Sequence, residues 1–134
     1  MFLQPKRLKF KKLRKGTLPN LEFRANKLKF GTIGLKAAES GTISARQLEA
    51  ARQSIMRKIN RKGKLWIRIF PSLPITTKPI EVRMGKGKGS VDFWASKVGI
   101  GQIVFELCGV TKNTAIAAFK TGGAKLPVKT IVVI

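Results

Sequence analysis

The spacing of apolar and polar positions predicts two helices. The clearer one begins at Ser44, where the tetrapeptide SARQ has the pattern of a capping box, in which two side chains satisfy free amides of the first turn. Apolar residues then recur at helical spacing and mark one buried stripe: Leu48, Ala51, Ile55 and Ile59. Gly63 suits the end of this helix, and a second, shorter helix is predicted over 111–120.

Runs of apolar or alternating residues predict strands on both sides of these helices. The predicted strands are 26–38, 64–70, 82–84, 90–98, 102–110 and 128–134. Gly41 is predicted to lie in a turn. The proline-rich segment 71–79 is predicted to be an irregular connector rather than a central strand, because proline cannot donate to a sheet. This order predicts a single α+β domain in which a mixed or antiparallel sheet packs against two helices.

The net charge changes this picture of an ordinary small domain. The chain has 134 residues, and 43% of them are hydrophobic, which is enough for the core of one domain. Its 28 Lys and Arg against 6 Asp and Glu give a net charge of +22. Self-repulsion at that charge favours a dense polyanion as partner. Nucleic acid is the first candidate and an anionic membrane the second.

Composition also excludes several kinds of chemistry. The chain has no His and a single cysteine, Cys108, so it can form neither a zinc finger nor an internal disulfide. Cys108 lies in an apolar run and is expected to be a buried, inert thiol. No apolar run approaches the roughly 18 residues of a membrane span. The six acids are scattered and are expected to form local salt bridges: Glu22, Glu39, Glu49, Glu81, Asp92 and Glu106. We therefore predict a protein that is not an enzyme and needs no metal or cofactor.

The first fifteen residues form a basic segment with interleaved apolar residues. Seven of them are basic and none is acidic: Lys6, Arg7, Lys9, Lys11, Lys12, Arg14 and Lys15. Such a block does not fold alone, and it indicates an extension that orders on a polyanion. The alternative is a passive, solvated tail. We predict a basic extension over 1–19 and the α+β domain over 20–134.

A loop of alternating glycines is the most informative local feature. Its residues are Met84, Gly85, Lys86, Gly87, Lys88 and Gly89, and Arg83 precedes it. Glycines free the backbone to approach a ligand closely, and the cations suit phosphates. The loop matches neither GxxxxGK[ST] nor GxGxxG, so it is not a nucleotide-binding loop of either kind. A flexible, solvated hairpin loop is the alternative.

The first helix and four aromatic residues are further candidates for contact with nucleic acid. Arg46, Arg57 and Arg61 fall on the side of the helix opposite its apolar stripe, where they either bind phosphate or form a solvated face. The aromatic residues either stack on bases or belong to the core, and Phe93 is assigned to the core: Trp66, Phe70, Phe93 and Trp94.

Five segments together resemble a known family, that of the bacterial-type ribosomal protein number sixteen of the large subunit. They are LQPKRLKFKKLRKG, FGTIGLKA, ISARQLEAARQSI, GKLWIRIFPSLPITTKPIEVRMGKGKGSVDFW and AKLPVKT, which run from residue 3 to residue 130. The phrase KPxxVRMGKGKG is the most specific of these matches. Residues 17–27 depart from the Gly- and Arg-rich stretch usual in bacterial and plastid members, so contacts there are in doubt.

The resemblance implies a structural constituent of the large ribosomal subunit that binds rRNA near the aminoacyl-tRNA site and the peptidyl-transferase centre. It implies rRNA contacts for the 1–19 extension, with its seven cations, and a position near tRNA for the loop 83–89. The implied partners are large-subunit rRNA, aminoacyl-site tRNA and neighbouring ribosomal proteins. Neither a membrane span nor a homo-oligomer is expected.

The resemblance also suggests a compartment. The run GQIVFE and the bias toward Lys, Ile and Phe are similar to organelle-encoded members, which favours a mitochondrial ribosome, with a plastid or the bacterial cytoplasm as alternatives. Because the chain begins where the family begins, we expect no presequence. Two other classes stay open: a membrane-active basic protein, which needs a wide apolar helix face, and an RNA-modifying enzyme, which needs a catalytic or cofactor site.

Overall fold

The computed structural model describes residues 3–134, so residues 1 and 2 of the predicted extension lie outside the described residues. The described chain forms two helices and seven strands. In chain order they are β1 (Ile33–Ala37), β2 (Gly41–Ser44), α1 (Ala45–Lys58), β3 (Lys64–Ile67), β4 (Leu73–Thr77), β5 (Ser90–Val98), β6 (Ile103–Cys108), α2 (Lys112–Gly123) and β7 (Thr130–Val133). Neither helix of the described part is long and apolar enough to cross a membrane.

The core lies between a four-stranded sheet and the two helices. The strand order is β3-β6-β1-β7 and every pair is antiparallel. Leu35 of β1 pairs with Phe105 of β6, and both belong to the same buried cluster as Leu48 and Phe119 of the helices. The helices approach closely at Gly122, where a β-carbon would collide with Ile55. Alternate residues of β1 and β6 therefore face the helices, and the residues between them face the other way.

A second, three-stranded antiparallel sheet has the order β2-β5-β4. Strands β4 and β5 form a hairpin, whose last pair joins Thr77 to Ser90. The connection between them, residues 78–89, contains the whole glycine loop. The sheet therefore holds the base of that loop, while the loop itself projects beyond the paired strands.

The predicted capping box begins α1. The Ser44 hydroxyl accepts from the Gln47 amide at 3.2 Å, and the Gln47 side chain accepts from the Ser44 amide at 2.9 Å. Leu48, Ala51 and Ile55 are buried on one side of the helix, as its periodicity predicts. Local signals therefore set both the start and the orientation of this helix.

Removing this cap gives a simple test of that assignment. We expect Ser44→Ala to lower the free energy of unfolding by about 0.5–2 kcal/mol, because one amide of the first turn loses its acceptor. Urea unfolding followed by circular dichroism measures the change. Ser54→Ala, within the same helix, is the control and should leave stability unchanged or slightly raised, since Ala is the better helix former. Equal losses in both variants would contradict a capping role for Ser44.

The α+β fold class is confirmed, and three local predictions are wrong. Gly41 opens strand β2 rather than a turn. The connector 71–79 contains strand β4, which lies at a sheet edge, where proline is tolerated because an edge strand has amides outside the ladder. Residues 82–84 form no strand. The predicted single sheet is two, and both are antiparallel throughout.

The segment before β1 is extended and packs along the domain. Leu3 is buried in the main core cluster. Further along, the Ile100 amide donates to the Asn20 carbonyl at 2.7 Å and the Ile103 amide donates to the Ala25 carbonyl at 2.9 Å. The segment thus follows the turn between β5 and β6 before it reaches the sheet. The division at residue 19 stays a prediction.

Candidate nucleic-acid interface

The basic extension is held at both ends while its cations face outward. Leu3 anchors the start of the segment in the core, and all seven predicted cations between residues 6 and 15 are exposed. Gly16 follows with a φ of 61°, and the Lys97 ammonium donates to the Thr17 carbonyl at 2.9 Å. The backbone of the extension is therefore attached to the domain, and its charged side chains remain available to a ligand.

The glycine loop has a backbone that L-residues rarely adopt. Gly85, Lys86 and Gly87 have φ values of 97°, 52° and 86°. A β-carbon at Gly85 or Gly87 would have nothing within 4 Å, so these positions need glycine for the left-handed backbone and not for lack of space. Met84 is fully exposed, and the other residues from Arg83 to Lys88 are also exposed. The loop is thus a projecting finger with its backbone accessible.

The finger contacts the basic extension directly. The Lys12 ammonium donates to the Lys88 carbonyl at 2.7 Å, and the Lys88 ammonium donates to the Leu13 carbonyl. These residues are about 75 positions apart in the chain. Two segments that sequence analysis treated separately thus form one continuous surface, which we call the extension–finger surface and define as residues 6–15 and 83–89.

Every charged side chain on the extension–finger surface is positive. Residues 6–15 and 83–89 hold ten Lys and Arg and no Asp or Glu. The ammonium groups of Lys12 and Lys88 donate to backbone carbonyls, which carry no negative charge. A projecting surface with this charge raises the local concentration of a polyanion and steers its approach. The arrangement suits phosphate binding.

The outward arginines predicted for α1 divide into two groups. Arg46, Arg57 and Arg61 are all exposed, as predicted. Arg46 lines a surface hollow together with Lys15 of the extension, so it continues the extension–finger surface. Arg57, in the last turn of α1, and Arg61 line another hollow beside Arg52. The prediction that Arg61 lies on the helix is wrong, because α1 ends at Lys58 and Arg61 follows in a left-handed turn with a φ of 59°. The structure thus brings one of the three arginines to the extension and leaves the other two apart from it.

Three of the six acids form ion pairs among the described residues. Glu49 binds Arg52 at 2.6 Å, and that guanidinium lowers the pKa of Glu49 to about 2. Glu39 binds Lys129 at 2.8 Å, and Glu106 binds Arg68. Salt bridges are therefore confirmed for these three acids. The Glu106 pair is not local, because its partners lie 38 residues apart.

Glu106 is a buried carboxylate that sequence analysis did not distinguish from the other acids. It lies in the central strand β6, fully buried, and accepts the amides of Phe30 at 2.6 Å and Gly31 at 2.7 Å, with Lys29 at 3.2 Å. Burial raises the pKa of Glu106, but these amides and the Arg68 guanidinium lower the pKa further, to below its ordinary value. The only signal in the sequence is an acid within an apolar strand, IVFELC.

The aromatic residues are distributed differently from the prediction. Phe93 was assigned to the core but is only half-buried, because its side of β5 lines two surface hollows. Phe70 is exposed, and Trp66 stacks on Phe30 with ring centroids 6.1 Å apart. Cys108 is also half-buried rather than buried, at the end of β6. Trp66 lies on the edge strand β3, Phe70 lies beyond the end of that strand, and Cys108 is the last residue of β6.

The acids and the cysteine of the described residues do not form a cluster. Within residues 3–134, no group of three or more Cys, Asp or Glu is placed to hold a metal ion. What the arrangement does provide is a charged, projecting surface of defined shape.

Comparisons with known proteins show which family the sequence matches. The family model described as ribosomal protein L16p/L10e matches residues 5–133. The protein named large ribosomal subunit protein uL16 from Bartonella henselae is 55% identical over 128 residues, which is 96% of this chain and 93% of that protein. The protein of the same name from Bartonella bacilliformis is 55% identical over the same shares of both chains.

Proposed function

Because the chain belongs to the ribosomal protein L16p/L10e family, a family of structural, non-enzymatic ribosome constituents, we propose how its surface works within the large subunit. The extension–finger surface binds large-subunit rRNA through the cations of the extension. Its finger, residues 83–89, reaches toward aminoacyl-site tRNA near the peptidyl-transferase centre. Neighbouring large-subunit proteins and rRNA surround the remaining faces.

One observation carries this proposal: the extension and the finger lie against each other through Lys12 and Lys88. A shared surface allows one protein to touch rRNA with one part and a second RNA with the adjacent part. The ten cations and absence of acids on this surface suit two RNA backbones that would otherwise repel each other.

The mechanism is electrostatic and architectural. Each Lys or Arg that meets a phosphate releases condensed counterions, which favours binding at physiological salt. Such contacts position the RNA backbone and carry no base information, so selectivity comes from the fit of RNA shape to the protein surface. Arg46, beside Lys15, extends the rRNA-facing side, and Arg57 and Arg61 form a second contact area at the C-terminal end of α1.

We propose a mitochondrial ribosome as the location, on the organelle-like run GQIVFE and the bias toward Lys, Ile and Phe. The two relatives reported above are bacterial, so the bacterial cytoplasm is the competing location and a plastid is the third.

Sedimentation of organelle and whole-cell lysates on sucrose gradients, with mass spectrometry of the fractions, tests the proposed rRNA binding and the proposed location. Co-migration with large subunits at one copy each supports rRNA binding, and the accompanying proteins identify the compartment. Protein found only at the top of the gradient would overturn the proposal.

The two lysines of the finger should have different effects. Lys86 has no hydrogen-bond partner among the described residues, whereas Lys88 binds the extension. We expect Lys86→Ala to leave subunit binding intact and to weaken aminoacyl-tRNA accommodation by about tenfold, since a charged hydrogen bond contributes about 1.5–3 kcal/mol. Single-turnover accommodation on purified ribosomes measures this.

Lys86→Arg is the matched control, because it keeps the charge and should restore accommodation. Lys88→Ala should instead loosen the finger, because it removes the bond to the Leu13 carbonyl and keeps only the Lys12 bond to the backbone carbonyl of residue 88. The finger of the free protein should then be more susceptible to proteolysis. Normal accommodation by Lys86→Ala ribosomes at full occupancy would remove the finger from the proposed role.

A further inference from the structure

A stacked pair of aromatic rings lies outside the extension–finger surface. The Phe30 and Trp66 rings are 6.1 Å apart between centroids and inclined by only 20°. Phe30 is about half exposed, at 52%, and Trp66 is partly exposed at the edge strand β3. A hydrophobic core would cover both rings fully, so this pair presents a flat aromatic surface to solvent.

Three cations surround the ring pair. The Lys64 ammonium lies 5.2 Å from the Trp66 ring centroid, and the Lys29 ammonium lies 5.7 Å from that of Phe30. The Arg68 guanidinium lies 5.2 Å from the Phe30 centroid. The neighbouring acid, Glu106, is fully buried beneath them. Arg68 is paired with Glu106, so the exposed part of the cluster combines the partly exposed rings with the ammonium groups of Lys29 and Lys64.

The buried Glu106 carboxylate holds this cluster in place. It accepts the backbone amides of Lys29, Phe30 and Gly31, and it pairs with Arg68. One group thus fixes the backbone that carries Phe30 and the guanidinium beside the ring. The aromatic surface is organised before any ligand arrives, which lowers the entropy lost on binding.

We infer that the Phe30–Trp66 pair is a stacking site for an unpaired base of large-subunit rRNA, with Lys29 and Lys64 meeting the adjoining phosphates. This inference rests on the proposed function. Aromatic rings flanked by cations are the arrangement that binds single-stranded RNA, because every base offers a π-face and every nucleotide a phosphate. Charge complementarity favours an rRNA nucleotide as the ligand, since the exposed cluster is cationic and rRNA is the dense polyanion of the subunit.

The test uses full-length protein and large subunits washed in salt until they lose this protein. Rebinding of Phe30→Ala is compared with the wild-type protein and with Phe23→Ala, a matched control, because Phe23 is 79% exposed and makes no ring stack among the described residues. We expect Phe30→Ala to bind about tenfold more weakly or worse, with an unchanged salt slope, and Phe23→Ala to stay within about twofold. Thermal unfolding by circular dichroism shows that each variant is folded.

Two further measurements identify the occupant. Phe30→Tyr should keep wild-type affinity because it keeps the ring, whereas Phe30→Leu should lose it although it stays apolar. Ultraviolet crosslinking of reconstituted subunits should join a peptide containing Phe30 or Trp66 to an rRNA nucleotide. Crosslinking to a ribosomal protein, or wild-type affinity of Phe30→Leu, would assign the surface to a protein neighbour and overturn the inference.

Failure of the inference and failure of the proposed function are distinguishable. If the wild-type protein rebinds with strong salt dependence while Phe30→Ala matches Phe23→Ala, only the stacking site is refuted. If the wild-type protein does not rebind to depleted subunits at all, the proposed function is refuted with it.

Discussion

Glu106→Gln should lower the free energy of unfolding by about 3–5 kcal/mol, the usual cost of removing one partner from a buried ion pair. The amide keeps the shape of the carboxylate but leaves the Arg68 guanidinium without its counter-charge. Its NH₂ group must also face a donor in either orientation, because one carboxylate oxygen accepts the amides of Phe30 and Gly31 and the other accepts from Arg68. Because domains of this size are stable by about 5–15 kcal/mol, the loss should be visible in urea unfolding followed by circular dichroism.

Two controls separate this effect from a general loss of negative charge. Glu39→Gln removes an exposed pair with Lys129 and should change stability little, since exposed ion pairs contribute weakly. The second control is pH. The pKa of Glu106 is lowered in the folded state, so its contribution is complete above the unfolded pKa of about 4.3 and is lost as pH falls through the folded value. The difference in the free energy of unfolding between the wild-type protein and Glu106→Gln should therefore decrease as the pH is lowered. A difference below about 1 kcal/mol at pH 7 would contradict the central role of this carboxylate.

Neutralising the extension should produce the largest change in RNA binding. The variant replaces all seven basic residues between 6 and 15 with Gln. If each cation meets one phosphate, the slope of log affinity against log salt should fall by about 5–6, because each contact contributes about 0.7–0.9. Over the range from about 50 to 200 mM salt, contacts of that number change affinity by roughly 10³-fold. Rebinding to depleted large subunits across a salt series measures the slope.

Substitution is preferable to deletion of residues 1–15, since deletion also removes Leu3 from the core. The matched control changes only the five lysines of the extension to Arg, which keeps every charge and should keep the slope. The variant with seven Gln residues should unfold at the same midpoint as the wild-type protein. An unchanged slope in that variant would mean that the extension is solvated in the subunit and that other cations make the phosphate contacts.

The elements recovered from sequence are those specified by neighbouring residues. Helix α1 begins at Ser44 because the capping-box residues lie within one turn, and strand β5 was predicted over 90–98 because its residues alternate. The errors lie where a strand depends on its partner. Strand β4 contains a proline and exists because β5 supplies the pairing, and β2 exists because Gly41 pairs with Val98.

The candidate interface divides in the same way. The seven cations of the extension and the glycine finger were recognised as separate motifs, since charge and glycine spacing are visible in the chain itself. Their contact through Lys12 and Lys88 was not predictable, and neither was the ring pair of Phe30 and Trp66, because no local pattern encodes a meeting between distant residues. The assignment of Phe93 to the core failed for a related reason: alternation shows that a residue faces one side of a sheet, but not whether another layer covers that side.

The fold class, a polyanionic partner and the family resemblance were predictable without a structure, because composition, periodicity and motifs are properties of the chain alone. Tertiary structure alone decided that Glu106 is the buried acid, and that it fixes the backbone of Phe30 and the guanidinium of Arg68. The physical reason is that the pKa, burial and partners of a carboxylate depend on which groups the fold brings within a few ångströms. Here those groups come from segments about 40 to 75 residues away along the chain.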